Sequence, residues 1–157
     1  MHDARLLLTC GLPGAGKTTL ARQLAEERAA VRLTNDEWLW ALGSTPWDPV
    51  TQQRMERQLW LLTQDLLRLG LTVILDFGLW SKAERDELRD AARLLGVRVE
   101  LHALDAPDDE LWTRIDARNA LPPWDSHPIS RADLDEWRTL FEPPDEAELA
   151  LFDPPPR

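Results

Sequence analysis

The chain has 157 residues, enough for one domain with a single substantial core, and its 43% hydrophobic and 29% charged composition is that of an ordinary globular protein. A formal net charge of −10 opposes broad contact with a nucleic-acid backbone, and no apolar run is long enough to cross a bilayer. The single cysteine, Cys10, excludes an internal disulfide and fits a reducing compartment; with no secretory leader before the first apolar run, the expectation is a cytoplasmic protein.

Ala4 to Cys10 reads as a short buried strand. It runs directly into Gly11-Leu12-Pro13-Gly14-Ala15-Gly16-Lys17-Thr18-Thr19, a G-x-x-x-x-G-K-T pattern followed by a helix from about Lys17 to Arg28. Glycines in such a loop allow the backbone to turn successive N–H groups toward an anion, and the helix adds its N-terminal partial positive charge. Lys17 can reach the β- and γ-phosphates of a nucleoside triphosphate, and the Thr18 hydroxyl can ligate Mg²⁺. Val31 to Thr34 predicts a second strand, leading into Asn35-Asp36-Glu37. A carboxylate there, beside the loop, can accept a proton from a hydroxyl that attacks the γ-phosphate. The same residues, Asn35 or Asp36, equally suit an N-cap for a short helix over Glu37 to Leu42.

Asp48-Pro49 predicts a capped start for the next helix. Met55, Leu59, Leu62, Leu66 and Leu69 then mark one apolar face, which Gly70 ends. Leu71 to Leu75 predicts a strand buried on both faces, closed by Asp76, where an acid can hold Mg²⁺ or serve a turn. Ser81 with Glu84 is a capping-box signature for the helix that follows, and Val97 to Leu104 is the fourth strand. From Pro107 a helix runs to about Ala120. Arg114 and Arg118 share one of its faces and can either close over phosphates or pair with acids such as Glu110 and Asp116 on a solvated surface. Residues from Asn119 to Pro128 form a candidate lid. Ser130 with Asp133 caps a last clear helix to Phe141, and Ala150-Leu151-Phe152 is a candidate edge strand. His102 and His127 have no metal-ligand spacing.

Strands alternating with helices predict βαβ units, hence an α/β three-layer fold with a parallel sheet of four or five strands and helices on both faces. Residues 1–157 make one domain, with a lid region at about 114–130 and an undecided segment at 142–157. Ligands of such sheets collect at the carboxyl ends of the strands, where the glycine loop, Asp36 and Asp76 all fall.

In order along the chain, LLLTCGLPGAGKTTLA, LTNDEW, LTVILDFGLWSKAERDEL, VRVELHALDAP and LWTRIDARN resemble the small P-loop kinases of the AAA-type ATP-binding family. These are similar to the kinase domain of polynucleotide kinase, and more distantly to chloramphenicol phosphotransferase and zeta toxins. The resemblance runs from about Ala4 to Phe141. It implies a kinase that takes ATP and Mg²⁺, with Asp36 as general base toward an acceptor hydroxyl. Lys17 and Thr18 become the phosphate and Mg²⁺ residues, Asp76 the family's aspartate closing the third strand, and Arg114 and Arg118 the lid arginines on the phosphates.

One departure narrows the acceptor. The arginine that soon follows the base in polynucleotide kinases is absent, and Glu37-Trp38-Leu39-Trp40 stands in its place. With the acidic net charge, this favours a small hydroxylated acceptor, with Trp38, Trp40, Trp47 and Trp80 as candidate walls. A polynucleotide 5′-hydroxyl kinase, with Arg54 and Arg57 supplying local positive charge, is the alternative within the same fold. An ATP-binding switch protein with little transfer activity is the alternative from another functional class.

Overall fold

A computed structural model describes residues 4–44, 48–121 and 128–156. The elements follow in the order β1 (Arg5–Cys10), α1 (Lys17–Arg28), β2 (Val31–Leu33), α2 (Asn35–Ala41), α3 (Pro49–Arg68), β3 (Val73–Leu75), α4 (Lys82–Leu94), β4 (Arg98–Ala103), α5 (Asp108–Asn119), α6 (Arg131–Leu140) and α7 (Glu146–Leu149). Among the described residues the sheet has four strands in the order β2–β3–β1–β4, all parallel. Leu7 lies opposite Ile74 on one side and Glu100 on the other, so β1 is hydrogen-bonded along both edges.

The alternation of side chains along β1 divides the core in two. Leu6, Leu8 and Cys10 point into the larger cluster, with Leu59 and Leu67 of α3, Ala92 of α4, Leu111 and Ile115 of α5, and Leu134 of α6. Leu7 and Ile74 point the other way and are covered by Ala21 and Leu24 of α1. Because both faces are covered, β1 is apolar at nearly every position and buried throughout.

Local signals place most boundaries. Asp48 caps α3 by accepting from the Val50 amide at 3.2 Å, with proline at its first position. Ser81 and Ser130 each make the full capping box, with Glu84 and Asp133. Gly70 and Gly96 follow α3 and α4 in the left-handed region, as a helix stop favours.

Two expectations need correction. α2 begins at Asn35 with Thr34 as its N-cap, so neither Asn35 nor Asp36 is the cap. The Asn35 side chain is used otherwise: its Oδ1 accepts from the Asp36 amide at 3.1 Å and its Nδ2 donates to Glu56 of α3 at 2.9 Å. The candidate edge strand at Ala150-Leu151-Phe152 is a turn after α7. Asp145 caps α7 by accepting from the Glu148 amide at 2.8 Å, which turns Glu148 inward to a buried arginine, Arg85. The β4 edge is met by one residue, Asp153, whose amide donates to Val99 O and whose carboxylate accepts from the Val99 amide, each at 2.8 Å.

Candidate active site

The carboxyl ends of β1, β2 and β3 bring the glycine loop, Asp36 and Asp76 to one edge of the sheet. Gly11 is required by space: a Cβ there would lie 2.4 Å from the Leu104 carbonyl, because the chain after β4 passes directly beside the loop. Gly14 is required by both space and backbone, with φ of +83° and a Cβ position 2.9 Å from the Leu111 carbonyl of α5. Gly16 is the N-cap of α1 and supplies no side-chain cap. The first-turn amides of Lys17, Thr18 and Thr19 therefore have no partner within the helix and point into the loop's hollow.

Lys17 Nζ donates to the Leu12 carbonyl at 2.9 Å, inside the curve of the loop. Desolvation by the surrounding loop lowers its pKa to about 8, against the pull of Asp76 and Asp36. Asp76, nearly buried, is held from three directions. Thr9 Oγ1 donates to Oδ1 at 3.1 Å, while Thr18 Oγ1 at 3.0 Å and Arg32 Nη1 at 3.1 Å both donate to Oδ2. The Thr18 hydroxyl and the Asp76 carboxylate are hard oxygen donors side by side, which suits Mg²⁺. Among the described residues no group of three or more His, Cys, Asp or Glu side chains gathers for a metal. Mg²⁺ held with phosphates and water needs only one or two protein oxygens.

Asp36 lies in the first turn of α2 and is exposed. Desolvation raises its pKa above the usual aspartate range, against the opposing pull of the Lys17 and Arg118 cations. Beside it stands Glu56, whose Oε1 accepts from Asn35 Nδ2 at 2.9 Å and Gln52 Nε2 at 3.1 Å. Desolvation, with the nearby charges of Glu84 and Asp36, raises the Glu56 pKa as well. Glu37 faces the opposite way, taking Arg32 bidentately at 2.6 and 2.8 Å and Arg22 at 3.1 Å. Asn35, Gln52 and Glu56 thus group acids and amides next to Asp36. Arg54 and Arg57 are exposed and turned away, roughly 160° and 100° around α3 from Glu56 at 100° per residue.

Of the two α5 arginines, Arg114 is held on both sides. It pairs with Glu110, and its Nη1 also donates to the Gly14 carbonyl at 3.0 Å. Arg118 makes no ion pair among the described residues, and its charge acts on both Lys17 and Asp36. The candidate lid lies largely outside the described residues, as do Trp47 and His127. Its two ends are pinned together, since Asn119 Nδ2 donates to Ile129 O at 2.7 Å and its Oδ1 accepts from Ile129 N at 3.0 Å.

Sequence reasoning missed Arg32 and Thr9 on Asp76, and the brace behind the loop. Arg32 is a charged residue inside a strand, which was the available signal. The brace begins with Trp80, a candidate wall residue that instead donates through Nε1 to Gly11 O at 3.2 Å and packs on Trp137. Arg85, fully buried, binds Glu148 at 2.6 and 3.0 Å, Leu79 O at 2.8 Å and Glu142 O at 2.8 Å. Its sequence signal was its place on the apolar stripe of α4, three residues before Leu88 and seven before Ala92. Burial raises the pKa of Cys10, which donates to the same Leu79 carbonyl, to about 11 and keeps it an inert thiol.

The AAA domain family model matches residues 6–144. No curated protein matches the chain. Among solved structures, a chain of the Pnkp1/Rnl/Hen1 RNA repair complex superposes with a TM-score of 0.77 at 22% identity, covering 89% of this chain and 44% of that one. Kti12 from Chaetomium thermophilum, solved with ADP-AlF3, gives 0.71 at 18% identity, covering 90% and 82%. A gluconokinase from Sinorhizobium meliloti 1021 gives 0.65 at 16%, covering 93% and 79%. The chain spans less than half of the RNA-repair protein it overlays, and at these identities the likeness is one of fold. With a family match over most of its length, this chain belongs to the AAA domain family and has the fold of the P-loop kinases.

Proposed function

We propose that the protein is a phosphotransferase that moves the γ-phosphate of ATP to a hydroxyl of a small acceptor, with Mg²⁺ as its metal. The observation that carries this reading is the position of Asp36. A carboxylate after β2, with only β3 between its strand and that of the glycine loop and under the charges of Lys17 and Arg118, supports the role of receiving a hydroxyl proton. A water-activating switch needs no such acid on the acceptor side.

The roles follow from chemistry at each atom. The amides from Gly11 to Thr19 and the Lys17 ammonium hold the triphosphate. Thr18 and Asp76 hold the metal, which neutralises phosphate charge when bound. Arg114 is anchored by Glu110 and the Gly14 carbonyl, and Arg118 stands free to close on the transferring group. Asp36 accepts the acceptor's proton, and its raised pKa makes it a stronger base than an ordinary aspartate.

The acceptor is read as small and not polyanionic. Glu56 lies near Asp36, Glu84 adds its charge to Glu56, and Arg22 and Arg32 are both engaged by Glu37. Acidic walls count against a polynucleotide end, which would need a basic groove. The test is transfer from labelled ATP across a panel of sugars, nucleosides, antibiotics and 5′-hydroxyl oligonucleotides. Asp36→Asn should lower transfer to the accepted compound by roughly 10²- to 10⁴-fold, with nucleotide binding intact. Unchanged transfer in that variant removes Asp36 from the role of base.

A further inference from the structure

Asp76 is almost entirely covered, with only 2% of its side chain exposed, and a carboxylate so placed needs a cation beside it whether or not ligand is bound. Here that cation is Arg32. Its Nη1 donates to Asp76 Oδ2 at 3.1 Å, the same oxygen that takes the Thr18 hydroxyl at 3.0 Å. Its other nitrogen, Nη2, is held bidentately by Glu37. Glu37 is 47% exposed, sits one residue after Asp36, and also takes Arg22 at 3.1 Å.

We propose that Arg32 is a placeholder cation: it neutralises Asp76 in the nucleotide-free protein and is handed over to Glu37 when a divalent metal takes its place. The inference rests on the reading of Thr18 and Asp76 as the metal residues. A metal on Asp76 Oδ2 would compete with the guanidinium N–H aimed at that oxygen, because both are cationic and Thr18 and Arg32 already take its two lone pairs. The Thr18 hydroxyl has no such conflict, since its proton can stay on Asp76 while its oxygen faces the metal. Glu37 makes the exchange feasible, for Arg32 leaves Asp76 without losing its second carboxylate. Metal binding is therefore in competition with one arginine, and the strength of that competition is set by Glu37.

This gives two variants opposite signs, which a purely structural Arg32 would not. The readout is the Mg²⁺ concentration that half-saturates the metal-dependent binding of a fluorescent, non-hydrolysable ATP analogue to the full chain. Arg32→Met should lower it by roughly three- to tenfold, as expected for losing a largely covered charge pair that opposed the metal. Glu37→Gln should raise it, because the displaced guanidinium loses its alternative partner. Arg32→Lys, which keeps a cation in reach of Asp76, should fall between Arg32→Met and the wild type. If Arg32→Met folds poorly, the Glu37→Gln and Arg32→Lys arms still carry the test.

An unchanged or higher Mg²⁺ requirement in Arg32→Met, or an unchanged one in Glu37→Gln, overturns the placeholder and leaves Arg32 as a brace. The Asp76→Asn variant separates the two levels. If it leaves the wild-type Mg²⁺ dependence in place, the metal reading of Asp76 fails and the inference falls with it. If it abolishes that dependence while Arg32→Met does nothing, only the inference falls.

Discussion

Lys17 and Asp36 carry opposite pKa shifts for one reason, desolvation, which disfavours the charged form of each. Each shift makes a prediction of definite sign. With a pKa of about 8, Lys17 is partly neutral above that pH in the free protein, whereas a bound triphosphate favours the ammonium. Nucleotide binding above pH 8 should therefore take up a proton and weaken as pH rises. Calorimetry in buffers of different ionisation enthalpy measures that uptake directly, and Lys17→Arg, which does not titrate there, should show none. For Asp36 the base must be ionised, so transfer should fall as pH drops through a pKa above the ordinary aspartate range. A pH–rate profile with its acid limb at the normal aspartate value would mean that another group limits the reaction.

At the scale of elements, the loop's shape depends on what is packed behind it. Gly11 meets the chain leaving β4, and Gly14 meets α5, so neither position has room for a methyl group. Gly11→Ala should lower both the thermal midpoint and nucleotide affinity, since the Leu104 carbonyl belongs to backbone that cannot step aside cheaply. The second support is Arg85 of α4, which ties the β3–α4 connection to the C-terminal segment through Leu79, Glu142 and Glu148. Arg85→Met leaves Glu148 buried without a counter-charge and should cost about 3–5 kcal/mol in denaturant unfolding. Arg85→Met with Glu148→Met should cost clearly less than the single change, because no orphaned charge remains. Trp80 belongs to the same support, its indole donating to the Gly11 carbonyl across 69 positions of sequence.

Over the whole molecule, a net charge of −10 is compatible with a small cationic patch, because a few convergent cations can reverse the field locally. Lys17, Arg114 and Arg118 lie around the glycine loop, and acids line the adjoining cleft at Asp36 and Glu56. A 5′-hydroxyl single strand should therefore show no saturable binding at about 50 mM salt by fluorescence anisotropy, the condition in which phosphate contacts are strongest. Tight, steeply salt-dependent binding would revive the polynucleotide reading. The parallel sheet makes this division of charge workable, since all four strands deliver their following loops to one edge.

Much of this was legible in sequence because the signals are local. The glycine loop, both capping boxes, the proline at the start of α3 and the four strands depend on residues within a few positions of one another, and the structure places each where its local chemistry required. What the sequence could not determine are the contacts between residues far apart along the chain. The nature of the 150–152 segment was decided by Glu148 reaching Arg85, 63 positions away. The choice of Thr34 over Asn35 as cap was decided by Glu56 drawing the Asn35 side chain across to α3. Arg32, read from sequence as one residue of a short strand, became part of the candidate metal site only when β2 paired with β3 and brought it to Asp76. Spacing along the chain identifies the phosphate loop, because one backbone segment builds it. The charge balance around that loop needed the sheet order, because it is made by side chains that only the tertiary fold brings together.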